Sequence, residues 1–61
     1  MTCAELKRLL KKYGCYFHSH GGRHDNWYSP KTNHIFQVPR HDSHEIKTGT
    51  VKGIKKEAGI E

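Results

Sequence analysis

A chain of 61 residues holds one domain, spanning 1–61. A domain this small buries roughly 60% of the surface its unfolded chain exposes, so its core is thin. That excludes a deep, enclosed pocket, and any chemistry has to happen on an exposed surface. Hydrophobic residues at 33% and charged residues at 28% are enough for two packed layers, and the apolar positions are patterned rather than scattered. The 11 Lys and Arg against 6 Asp and Glu leave a formal charge of +5, which favours phosphate as the counter-charge. The competing reading is a solubilising surface charge.

Thr2-Cys3-Ala4-Glu5 has the form of a capping box, and Leu6, Leu9, Leu10 and Tyr13 then recur at helical spacing. Lys7, Arg8, Lys11 and Lys12 take the other side, and Gly14 stands where the helix ends. Cys15 to His20 alternates, with Cys15, Phe17 and Ser19 on one side and Tyr16, His18 and His20 on the other. Gly21 and Gly22 are read as the positive-φ residues of a hairpin turn. A second strand runs from about His24 to Ser29 and breaks at Pro30, and a third runs from His34 to Val38, ended by Pro39. Arg40 to Lys47 reads as an irregular polar connection. A second helix begins near Thr48, carries Val51, Ile54 and Ala58 inward, and stops at Gly59. The order α-β-β-β-α predicts an α+β two-layer sandwich, a three-stranded antiparallel sheet with both helices on one face. Cys15, Phe17, Trp27, Phe36 and Val38 are expected to face the helices, and His18, His20, His24, Asn26 and Tyr28 the open side.

His24 is the residue on which chemistry is expected. It follows the Gly-Gly turn, opens a strand and has Arg23 beside it. A neutral imidazole can take the proton of a ribose 2′-OH so that the oxygen attacks the adjacent phosphorus, and a nearby cation then stabilises the phosphate oxygens. Dependence on the 2′-OH makes RNA the substrate class. Lys52, Lys55 and Lys56 form a candidate phosphate track, with a merely solvated face as the competing reading, and Tyr28 is the candidate for stacking on bases. His41, Asp42, His44 and Glu45 lie before the second helix and read first as a solvated loop, with a source of an acid–base partner for His24 as the competing reading.

His18-x-His20 with His24 across the hairpin invites a metal reading, but no recognised ligand spacing is present, so neither metal nor cofactor is expected. Cys3 and Cys15 stand outside any Cys-x-x-Cys spacing and are too few for a secreted disulfide scaffold. Met1 to Glu5 leads into a charged helix without a signal-type apolar stretch, and nothing approaches a membrane span. A cytoplasmic protein is expected.

Several fragments together resemble the HicA-type mRNA interferase toxins of prokaryotic toxin–antitoxin pairs. Leu6 to Gly14 is similar to the family's opening helix, and Gly22-Arg23-His24 sits where the family has Gly-Ser-His. Val38-Pro39-Arg40-His41 resembles its Val-Pro-x-His, and Glu45 to Ile60 its closing segment. The likeness covers almost the entire chain. It implies a double-stranded-RNA-binding-domain-like fold and an endoribonuclease that cleaves mRNA, inhibiting translation and growth. It also implies His24 as the catalytic histidine, His41 at a family histidine position, and a HicB-type antitoxin that covers the active face. The chain departs from the common Gly-Ser-His-His in reading Gly22-Arg23-His24-Asp25. A non-catalytic RNA-binding module of the same fold, or a toxin retaining only antitoxin binding, are the competing functions.

Overall fold

The computed structural model describes residues 1–60. The elements are α1 (Cys3–Lys12), β1 (Tyr16–His20), β2 (His24–Ser29), β3 (His34–Pro39) and α2 (Thr48–Ala58). The strands form one antiparallel sheet in the order β1-β2-β3. Both helices pack on one face of it, chiefly against β3 and β2, giving the expected α+β sandwich.

Local chemistry sets the ends of each helix. The Thr2 hydroxyl accepts from the Glu5 amide while the Glu5 carboxylate accepts from the Thr2 amide at 2.8 Å, which completes the capping box. Two further amides at this end, those of Cys3 and Ala4, donate to the carbonyls of His44 and Asp42 at 2.8 and 3.0 Å. The 40–47 segment is thus more than a connection, because it satisfies donors that a helix start leaves open. It also carries Glu45, which bridges to Thr2 and takes the terminal ammonium of Met1, and the buried Ile46. Gly59 ends α2 in the left-handed region at φ +75°.

The core joins Cys3, Leu6 and Leu10 of α1 to Trp27, Phe36 and Val38 of the sheet and Val51, Ile54 and Ala58 of α2. Truncating a fully buried leucine such as Leu6 to alanine costs about 2–5 kcal/mol, a large share of what so small a domain has. Leu9 is only half-buried, and Tyr13, expected in the apolar stripe, is the exposed C-cap residue instead.

Several expectations need correction, and those for Ser19 and His20 share a cause. Strand β1 carries a bulge between Phe17 and Ser19, so His18 has no opposite number on β2. An extra residue in one strand reverses the alternation beyond it. Ser19 therefore sits opposite Asn26 and accepts from its amide, whereas His20 sits opposite Asp25, on the side of the helices rather than on the open face. Phe17 does pair with Trp27, yet it is 44% exposed, because β1 is an edge that the helices do not cover. Its ring instead meets His20 edge-on, with centroids 5.0 Å apart.

A further correction concerns the hairpin. Neither Gly21 nor Gly22 has positive φ. Gly21 is required for closeness instead: its amide donates to the His24 carbonyl at 2.9 Å, and a Cβ there would lie 2.5 Å from that oxygen. A Cβ on Gly22 would meet nothing. Gly21→Ala should therefore lower unfolding stability by about 1–3 kcal/mol, whereas Gly22→Ala should change it by less than about 1 kcal/mol. Thermal unfolding of the two variants checks this, and equal midpoints would refute the close-approach account.

Candidate active site at the hairpin end

His24 begins β2 opposite Pro39 and is exposed. Its neighbour Asp25 faces the helices, so alternation puts His24 on the open face with Asn26 and Tyr28, as expected. Opposite them on the same face stand Tyr16, Ser19, Ile35 and Gln37. The Tyr16 and Tyr28 rings are 5.5 Å apart, and the Tyr28 hydroxyl donates to Asn33 at 2.7 Å. Tyr28 is thereby held in place with part of its ring accessible.

Beneath His24 lies a cluster organised by Asp25, one of two buried polar residues among those described. Its Oδ1 accepts from Arg40 Nε at 3.0 Å and lies 3.0 Å from His20 Nδ1. The His20 bond foremost, and then Arg40, hold the Asp25 carboxyl below the usual 3.8 against the opposing effect of burial. An ionised carboxylate only accepts hydrogen bonds, so His20 Nδ1 carries a proton. The Arg40 guanidinium also donates through Nη2 to the carbonyls of Gly21 and Gly22, at 2.9 and 3.4 Å. One arginine therefore fastens both the buried carboxylate and the turn that leads into His24.

The anchoring reaches α1. Lys7 donates to the Arg40 carbonyl at 3.1 Å and to Asp42 at 2.8 Å, and the Cys3 thiol donates to the Pro39 carbonyl. Burial pushes the Cys3 thiol pKa up, in keeping with a structural rather than a reactive role.

The other expected residues are distributed unevenly. Arg23 stands exposed on the turn next to His24, and His41 lies exposed two residues beyond the strand partner of His24. Lys52 and Lys56 are exposed on α2, and Lys55 is half-buried. That helix ends where Ser29 donates to the Ala58 carbonyl at 2.7 Å and Thr32 to that of Glu57 at 3.0 Å. Lys55 and Lys56 consequently sit at the β2–β3 turn, about 17 Å along β2 from His24, so the structure does not bring them to the histidine. A shallow surface depression lined by Thr32, His34, Ile35, Gly53, Lys56 and Glu57 lies at that same far end. No three His, Cys, Asp or Glu side chains gather as metal ligands among the described residues.

Sequence reasoning missed Arg40 and His20. Arg40 was visible only as a residue between Pro39 and His41, and its partners lie 15 to 19 positions away. His20 was placed on the wrong face by the unseen bulge.

The fold and this site define a small basic α+β domain with an exposed histidine at the end of a braced hairpin. The family model described as HicA toxin of bacterial toxin-antitoxin matches residues 3–60, and the chain belongs to that family. Neither the curated proteins nor the solved structures give a match. Among the described residues, no helix is long and apolar enough to cross a membrane.

The depressed Asp25 value has a consequence for acid stability. A carboxyl whose folded pKa is lowered stabilises the fold above its unfolded value and loses that contribution as pH falls through the folded one. Asp25→Asn should therefore be less stable than the wild type at neutral pH, with the difference in urea midpoint narrowing below about pH 4. A difference that stays constant into acid would mean that the charge on Asp25 is not what stabilises the cluster.

Proposed function

We propose that this HicA-family toxin is a cytoplasmic endoribonuclease that cleaves mRNA by metal-independent proton transfer and so inhibits translation and growth. The observation that carries this reading is His24, an exposed imidazole beside a bare glycine turn and Arg23, in a chain that belongs to the HicA toxin family. The neutral ring takes the proton of the 2′-OH, and the freed oxygen attacks phosphorus. The bond to the 5′-oxygen breaks, leaving a 2′,3′-cyclic phosphate on the upstream fragment. Arg23 stabilises the phosphate oxygens. His41 is the auxiliary group that the family likeness supplies.

RNA binding is assigned to Tyr28, whose accessible ring stacks on a base, and to Lys52, Lys55 and Lys56, which hold phosphates away from the cleaved bond. A toxin–antitoxin family implies an antitoxin partner. We assign it as a HicB-type protein that covers the histidine-bearing face and excludes RNA by occupying the same surface.

His24→Ala should lower RNA cleavage about 10²- to 10⁴-fold and relieve growth inhibition, with thermal unfolding unchanged because the ring is exposed. Cleavage by the wild type should survive EDTA and give cyclic or 3′-phosphate ends. If the wild type binds RNA without cutting it, the non-catalytic module replaces this reading. If it neither binds nor cuts RNA but binds the antitoxin, the degenerate toxin does.

Neutralising Lys52, Lys55 and Lys56 should raise KM and leave kcat nearly unchanged, because they are assigned to phosphates other than the one cleaved. Each phosphate that is no longer neutralised should flatten the salt dependence of binding by roughly 0.7 in slope. A slope identical to the wild type would return these lysines to a solvated face.

A further inference from the structure

His20 lies outside the fragments that carry the family likeness and was not expected to take part, yet among the described residues it is the one histidine bonded to a carboxylate. Asp25 already has Arg40 as its ionic partner, so His20 is not required to neutralise it. The His20 side chain is 75% exposed, so the bond buries little of it and chiefly fixes the ring. With Nδ1 protonated and turned to Asp25, Nε2 is left as the nitrogen where a proton is gained or lost, on a ring fixed in orientation. The Phe17 ring against its edge restricts it further.

Its placement relative to His24 suits one kind of reaction. His20 and His24 flank the Gly21-Gly22-Arg23 turn and leave the hairpin on opposite faces. Attack by a 2′-oxygen in line with the departing 5′-oxygen needs a base on one side of phosphorus and an acid on the other. The two glycines lack side chains at the tip between them, and a Cβ on Gly22 would stand in open space, so a phosphodiester can approach the backbone there. His41, the alternative acid, is exposed on a loop, with no hydrogen bond to its ring among the described residues.

We propose that His20, oriented by Asp25, is the general acid of the RNA cleavage assigned above to His24, an inference that rests on that reading. Protonated His20 gives its Nε2 proton to the 5′-oxygen as the phosphorus–oxygen bond breaks, while His24 takes the proton of the attacking 2′-OH. The reaction leaves His20 neutral and His24 protonated, and exchange with water restores both.

The test compares an RNA dinucleotide with its 5′-thio analogue, in which sulfur replaces the bridging 5′-oxygen. A thiolate departs without protonation, so the loss of an acid is rescued and the loss of a base is not. His20→Asn keeps an amide donor for Asp25 and preserves the turn; His20→Ala is the second variant. Both should lose 10²-fold or more on the oxygen substrate. Both should cut the thio analogue at close to the wild-type rate, whereas His24→Ala should be defective on both. Near-wild-type cleavage of the oxygen substrate by His20→Asn would overturn the proposal and leave the ribonuclease reading standing. An equal loss on both substrates would reduce His20 to a structural part of the turn. Thio rescue of His41→Ala instead would transfer the role to His41. A wild type that cuts neither substrate would overturn the ribonuclease reading itself, and this proposal with it.

Discussion

The buried carboxylate of Asp25 is the constraint around which the hairpin end of this domain is arranged. A carboxylate taken out of water is costly unless it is paired and hydrogen-bonded. Asp25 is 6% exposed and takes its partners from two separate segments, His20 on β1 and Arg40 beyond β3. Each partner imposes a further condition. For His20 to reach the helix side, β1 has to bulge at His18. For Arg40 to reach Asp25, the chain has to turn at Pro39 and back along the hairpin, which brings the same guanidinium to the Gly21 and Gly22 carbonyls. The Arg40 carbonyl then receives Lys7, and α1 is tied to the same assembly. A single buried charge thus couples all three strands and the first helix at the end where His24 stands.

Much of the fold was legible because its signals are local. The capping box needs only Thr2 and Glu5, the stop of α2 only Gly59, and the inward stripe of that helix only the spacing of Val51, Ile54 and Ala58. Strand alternation placed His24, Asn26 and Tyr28 correctly because β2 is regular from end to end. The failures fall where one part of the chain depends on a distant one. Nothing in Tyr16-Phe17-His18-Ser19-His20 marks a bulge; the demand for it comes from Asp25 across the hairpin. Phe17 is as apolar as a core residue, and its exposure follows from which strand lies at the uncovered edge. Ile46 was lost inside a polar loop because a single apolar residue has no period. The change from Gly-Ser-His-His to Gly22-Arg23-His24-Asp25, which looked like an alteration around His24, supplies a carboxylate that serves His20 and Arg40.

The charge distribution separates two surfaces. The strand residues of the open face, Tyr16, Ser19, His24, Asn26, Tyr28, Ile35 and Gln37, include no lysine or arginine. The cations lie in the helices, in the two strand turns at Arg23 and Lys31, and after β3 at Arg40 and Lys47. On the proposed reading this matches the two parts of a single-stranded nucleic acid. Bases have flat faces that stack on an uncharged aromatic surface, and phosphates need cations at its margin. An antitoxin covering the same face would meet tyrosines and Ile35 at its centre and charge at its rim, an arrangement common to protein interfaces.

A domain of this size cannot use the most powerful device of larger enzymes, a dry cavity in which fixed dipoles act at low dielectric. His24, His20 and Arg23 are all exposed. On such a surface the electrostatic contribution of any one cation is small, and under the proposed mechanism more of the rate would have to come from proton transfer in a fixed geometry. Fixed geometry without burial requires hydrogen bonds anchored in something rigid. The Asp25 and Arg40 cluster provides that for the turn, because its acceptor is buried although the groups it positions are not. On the proposed reading the RNA would supply its own nucleophile, which would remove the need for a bound and activated water. Such a reaction asks the protein only to carry two protons and hold one phosphate, a task within the reach of a thin core and one braced hairpin.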